Sequence, residues 1–191
     1  MSEIQVNTIN EYTGANGVTI DGVLLKDNKL ASGTGNILQV VNATDTTVAS
    51  YTPGAGGTSQ LGSLQLSITP SSTSSSIFLM TSLMIGGNNR YFEMNFFRDS
   101  TRLGDTNTAT GNRRNIFHQA GLFDANDEQF QMIPFQMHYL DSPASTSSIT
   151  YSVRTTHYST ASIYYNRPSD DTDGAFIHRA RSVITAMEVG G

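Results

Sequence analysis

Apolar and polar residues alternate with a period of two along most of the chain, and clusters of Gly, Asn, Asp, Ser and Pro break the alternation at short intervals. A helical period is almost nowhere sustained. That combination predicts an antiparallel sandwich or barrel, because alternate side chains of a strand point to opposite faces and the breaker clusters supply the turns. In Ile149 to Thr156, Ile149, Tyr151 and Val153 fall on one side and Thr150, Ser152, Arg154 and Thr156 on the other, as a strand with one buried and one wet face requires. Tyr91 to Phe97 sets Phe92, Met94 and Phe96 against Tyr91, Glu93 and Asn95, with Phe97 out of pattern. Ser76 to Ile85 is apolar on both sides, since Ile77, Leu79, Leu83 and Ile85 alternate with Phe78, Met80 and Met84. It reads as a central strand, or as one whose outer face meets another subunit.

Further strands are expected over Ile37 to Val41, Thr46 to Tyr51, Leu64 to Thr69, Asn115 to Gln119, Phe130 to Ile133, Phe135 to Leu140, Ala161 to Tyr165 and Ser182 to Val189. About eleven strands suffice for two packed sheets. Between them stand PGAGG (53–57), TPSSTSSS (69–76), GGNN (86–89), DSPASTSS (141–148) and PSDDTDG (168–174), stretches with the chemistry of surface loops. Residues 1–35 differ in kind. Ile4, Val6, Ile9, Val18, Ile20, Leu24, Leu25 and Leu30 are scattered among glycines and amides, and so small a segment cannot enclose them by itself. They are expected to pack against the main domain, against copies of themselves or against a partner, the last two describing an attachment stem. Both lysines of the chain, Lys26 and Lys29, lie here in LLKDNKL, which also suits an ordinary hairpin edge. The expected organisation is a stem, 1–35, and an all-β antiparallel sandwich head, jelly-roll-like, over 36–191.

Composition narrows the function. Of 191 residues 59 are Ser, Thr or Asn, and only 14% are charged, so polarity comes from hydroxyls and amides, which favour turns and strands over solvated helices. With 16 acidic against 11 basic side chains and a net charge of −5, there is no electrostatic footprint for nucleic acid or an anionic membrane. The longest nearly apolar stretch, Ile77 to Ile85, is far short of a membrane span, and no basic segment precedes an apolar run near the N-terminus, so neither membrane insertion nor a secretory signal is expected. Cysteine is absent, which removes disulfides, thiolate metal ligands and cysteine nucleophiles.

The remaining chemistry is sparse. His118, His138, His157 and His178 stand about 20 residues apart without a close pair, so no metal site is expected. Asp170, Asp171 and Asp173 precede Gly174 but lack the closing glutamate and the spacing of a calcium loop, and read as a solvated turn, as do Asp124, Asp127 and Glu128. No nucleophile elbow occurs, and nothing pairs Glu93, Asp99 or Asp105 as hydrolytic acids, so no catalytic residue and no cofactor are assigned. Tyr158, Tyr164 and Tyr165, with Asn166 and Arg167, could present rings and amides to a sugar, although half-buried sandwich and interface positions account for them better.

Read in order, IQVNTINEYTGANGVTIDGVLLKDNKL (4–30), ILQVV (37–41), SITPSSTSSS (67–76), FFRDSTRL (96–103), YLDSP (139–143), YSVR (151–154), YNR (165–167) and SVITAMEV (182–189) resemble the small structural proteins of tailed bacteriophages, especially those of marine and cyanobacterial hosts. The resemblance runs over nearly the whole chain. It implies a non-enzymatic virion protein, a homotrimer built as stem and sandwich head, acting as a capsid decoration (cement) protein or as a tail fibre. Its expected partners are copies of itself, the major capsid protein or tail components, and at a fibre tip a host surface glycan. It would be made in the bacterial host cytoplasm and end on the outer surface of the virion. Long tail fibres place an adaptor and a shaft before the tip, whereas here about 35 residues lead into the head, which suits a short appendage.

Overall fold

The computed structural model describes residues 18–20, 23–26, 29–30, 36–52, 57–87, 92–104, 118–119, 128–157 and 162–191. Their regular secondary structure is all strand apart from one 3-10 turn at Glu128–Phe130, and all pairings are antiparallel. Near the N-terminus β1 (Val18–Ile20), β2 (Val23–Lys26) and β3 (Lys29–Leu30) form a three-stranded sheet of their own. Val18 lies opposite Leu25, which in turn lies opposite Leu30, and Lys26 opposite Lys29, so LLKDNKL does fold as a hairpin.

The head is a sandwich of two sheets. The first contains β4 (Ile37–Asp45), β5 (Ala49–Tyr51), β7 (Ser76–Gly87), β11 (Met132–Asp141), β13 (Ile163–Tyr165) and β14 (Ser182–Val189). The second contains β6 (Thr58–Ile68), β8 (Phe92–Arg98), β9 (Thr101–Arg102), β10 (His118–Gln119) and β12 (Ile149–His157). In the first, β7 takes β11 along one edge, while its other edge is shared end to end by β14, opposite residues 76–82, and β13, opposite 85–87. β4 and β5 continue outward from β14 and β13. In the second the order runs β6, β12, β8, with β9 and β10 beyond β8.

The core forms where the inward parities meet. Ile77, Leu79, Leu83 and Ile85 of β7, Phe135 and Met137 of β11, and Ile184 and Ala186 of β14 face Leu61, Leu64, Leu66 and Ile68 of β6, Tyr151 and Val153 of β12, and Met94 and Phe96 of β8. Full burial of each such aliphatic or aromatic side chain is worth about 1.5–3 kcal/mol, so this layer is the main stabilising term.

Several boundaries differ from the expectation, each for a local reason. β6 begins at Thr58 rather than Leu64, because Gly62, at φ 55°, throws a bulge that resets the alternation. Across it β12 passes from Ser152 to Arg154 while β6 passes from Gln65 to Gln60. β5 starts at Ala49 and not Thr46, since the Thr47 N–H turns back to the Asp45 carboxylate (2.8 Å). The stretches expected as two strands around Pro134 are one, β11. Opposite Pro134 stands Met84, whose N–H donates to Ser182 Oγ (3.1 Å) and whose carbonyl accepts from the Asn166 N–H (2.9 Å), both on the far side of β7. Met84 and Pro134 are thus a non-hydrogen-bonded pair, and the N–H that proline lacks belongs to the outer edge of the sheet, where proline is tolerated. Phe97, out of pattern in sequence, lies on the outward face of β8 with the Arg154 guanidinium 4.4 Å from its ring centre.

Candidate functional site

All charged side chains in the strands of the first sheet, Asp45, Asp141 and Glu188, are buried on its core side, where each fastens neighbouring segments together. Asp141 accepts from Arg98 Nη1 (3.1 Å to each oxygen) and from the Tyr151 hydroxyl (2.6 Å), joining β11 to two strands of the second sheet. Burial pushes the Tyr151 phenol well up, and the adjacent Asp141 carboxylate adds to it, so Tyr151 stays a neutral donor. Asp45 accepts the Ser63 N–H (2.8 Å), which the Gly62 bulge delivers. Burial by itself would raise the Asp45 pKa, but the donors Thr47 and Ser63 outweigh it and hold the carboxyl below its usual value. A Cβ on Gly62 would collide with Asp45 and Tyr165, so glycine serves both φ and space. Glu188 accepts from the Ser71 N–H (2.7 Å), Ser71 Oγ (2.6 Å) and Gln39 Nε2 (2.6 Å). Against the upward push of burial these donors bring its pKa to about 2.

With its carboxylates turned inward, the sheet has an outward face without formal charge. Register aligns Val40, Met187, Phe78 and Leu140 in one row across β4, β14, β7 and β11, and Asn42, Thr185, Met80 and His138 in the next. Val40 is 57%, Leu140 55% and Met80 44% exposed. Phe78 and His138 sit with ring centres 6.3 Å apart. A groove of about 280 Å³ runs between Met80 and Ser82, Gln136 and His138, and Val183 and Thr185. Isolated apolar residues are common on protein surfaces, but a continuous uncharged row across four strands makes this face a candidate contact surface. The apolar outward parity of Ser76 to Ile85 was its sequence signal. The row itself needed the register.

The sugar-binding candidates separate. Tyr158 lies outside the described residues. Tyr165 and Asn166 are fully buried (0%), which takes them out of reach of a glycan. Asn166, at φ 58°, is the splice between β13 and β14: its Nδ2 donates to the Asp45 and Thr47 carbonyls (3.0 Å each), and its Oδ1 accepts from Ser182 Oγ (2.7 Å). Burial, with Asp45 nearby, raises the Tyr165 pKa. Tyr164 and Arg167 remain half-buried, the guanidinium stacked 4.6 Å from the ring centre. No sequence signal distinguished Tyr164 from Tyr165, because inward and outward are decided by the β13–β7 register.

Among the stem candidates, Ile4, Val6 and Ile9 lie outside the described residues, and Val18, Ile20, Leu24, Leu25 and Leu30 lie in the β1–β3 sheet. The 170–174 turn is closed by cations of the chain itself: Asp171 pairs with Arg167 (3.7 Å) and with Arg179, while Asp170 accepts the Thr172 N–H (2.9 Å), which lowers its pKa. Among the described residues no three His, Asp or Glu side chains gather as metal ligands. Glu93 is buried beside Arg102 (4.0 Å) on the second sheet, Asp99 accepts the Thr150 N–H (3.1 Å) in a turn, and Asp105 lies outside the described residues. Asp124 and Asp127 also lie outside them.

No family model matches the chain, and none of the curated proteins does. Among solved structures it is similar to the VP2 subviral particle of infectious bursal disease virus (13% identity, TM-score 0.38, covering 91% of this chain and 43% of that one). It is also similar to the Gx strain of the same virus (14%, TM-score 0.39, 92% and 42%) and to T=1 particles derived from it (12%, TM-score 0.37, 92% and 42%). The chain thus spans about two-fifths of the length of the chains it matches.

Proposed function

We propose that this chain is a non-enzymatic structural protein of a bacteriophage virion. In this reading it is a short trimeric appendage on the outer surface, serving as capsid decoration (cement) protein or short fibre. Residues 1–35 dock to the major capsid protein or a tail component, and the sandwich stands outward. The observation that carries the reading is the use to which the first sheet puts its side chains: its carboxylates tie neighbouring segments together, and its outward face carries no Asp, Glu, Lys or Arg and has an apolar row, Val40, Met187, Phe78 and Leu140. The ordered resemblance of its segments to tailed-phage structural proteins supports the same reading. A partner that binds only the assembled shell stabilises it by mass action, and three copies make weak individual docking sufficient.

The test is co-sedimentation of the full chain with particles, compared with the full chain carrying Leu24→Asp and Leu25→Asp. Loss of particle association by more than about tenfold is expected, the usual effect of charge in an apolar contact. Undiminished binding by this double variant would remove the docking role from the stem.

A second reading, contact with a host glycan, is favoured by the half-exposed Tyr164 beside Arg167. A glycan array and the Tyr164→Ala variant test it: signal on the array that Tyr164→Ala abolishes supports it, and a silent array refutes it.

A further inference from the structure

We infer that the uncharged face of the first sheet is where copies of this chain meet, with three such faces turned toward one axis. The inference rests on the trimeric reading above and names the surface that makes the trimer. Outward positions on β4, β14, β7 and β11 carry no Asp, Glu, Lys or Arg, in a chain whose net charge is −5. A charged partner would find nothing to pair with there, whereas a second copy brings a surface equally free of charge and avoids the self-repulsion of the rest of the molecule.

Four strands about 4.8 Å apart, over some nine residues at about 3.3 Å each, give a footprint of roughly 550 Å² per copy, about half of it against each of two neighbours. A single pair would fall short of the roughly 1,000 Å² total that a stable two-chain contact needs, so association has to close as a ring of three, which covers roughly 1,650 Å² together. Three faces about 19 Å wide around one axis would each stand about 5–6 Å from it, close to half the ~10 Å spacing of packed sheets. Met187, Phe78, Thr185 and Met80, on the two middle strands, would lie nearest the axis, and Leu140 on the edge strand of one copy would meet Val40 of the next.

The free edge of β11 argues against joining edge to edge. Pro134 removes a donor there, so an incoming strand could not complete its ladder. At β11, then, a neighbouring copy does not extend the sheet.

Mass photometry and sedimentation equilibrium on the purified full chain test this. Met80→Lys, on the exposed face, is expected to weaken association at least about a hundredfold and leave a folded monomer by circular dichroism. Gln65→Lys, exposed on the second sheet, should leave association unchanged. A second probe exploits the absence of native cysteine: the pair Val40→Cys and Leu140→Cys stands three strand spacings apart within one molecule, about 14 Å, too far for an internal disulfide. Mild oxidation should therefore link chains into covalent trimers, and neither single cysteine variant should go beyond dimers. A Met80→Lys protein as trimeric as the parent, or a double-cysteine protein that stays uncrosslinked as a trimer, would overturn the face while the trimer survived. A parent that is monomeric at every concentration would overturn the trimer and this inference together, whatever its affinity for particles.

Discussion

The outward side of the β4–β14–β7–β11 sheet carries rows such as Val40, Met187, Phe78 and Leu140. That of the β6–β12–β8 sheet carries Arg154, Gln65 and Ser67, with Glu93 and Asn95 on the same side but buried. Both sheets present an apolar inner side, so the hydrophobic effect of folding does not distinguish them. They differ in where charge was placed. The first sheet keeps its carboxylates inside, each satisfied by two or more donors. The second carries charge on both sides: Arg98, opposite Tyr151, reaches Asp141, Glu93 is buried beside Arg102, and on the outward side Arg154 covers Phe97 and donates to the Asp99 carbonyl (2.6 Å). Burying a carboxylate is costly unless donors compensate it; here the donors do, and one face is left free of charge.

The comparison can be broken at its most expensive point, the splice. Asn166→Ala removes three buried hydrogen bonds and leaves a non-glycine residue at φ 58° without the side chain that held it. A loss of about 3 kcal/mol is expected, seen as a fall in Tm of roughly 6–12 °C by calorimetry. Acid tests the inward carboxylates next. Glu188 has a folded pKa of about 2 against an ordinary value of 4.5, so its contribution is fully present above the unfolded pKa and is lost as pH falls from about 5 toward 2. That contribution is about 3 kcal/mol at most, and Glu188→Gln should flatten the pH dependence of urea midpoints over this window while lowering stability at pH 7. Tyr151→Phe leaves Asp141 with Arg98 alone, and should cost about 1–2 kcal/mol in urea unfolding.

On the second sheet, Arg154→Ala uncovers Phe97 and should cost about 1 kcal/mol, a loss that substitution by Lys recovers only in part. The smallest effect sharpens the comparison most. Met80→Ser should change the unfolding free energy of the isolated chain by less than about 0.5 kcal/mol, because Met80 is outside the core. Its cost should appear only as weaker self-association.

Alternation alone made the sandwich legible: Tyr151 and Val153 inward, Phe92 to Phe96 as a strand, and Ser76 to Ile85 as apolar on both sides follow from side-chain parity, which depends on neighbours in sequence. The β2–β3 hairpin at LLKDNKL was readable too, because two residues between short apolar runs leave little other geometry. Parity cannot say which strand lies beside which. That Asn166 is a buried splice and not a sugar ligand and that Pro134 can sit within a strand were decided by the register of β7 with β11, β13 and β14, and that Gly62 turns the Ser63 N–H toward Asp45 by the bulged register of β6 with β12. Those pairings join residues up to about a hundred positions apart. Two-residue periodicity is a local consequence of the extended backbone, whereas the sign of a face and the fate of a buried polar group depend on which distant strand completes the ladder.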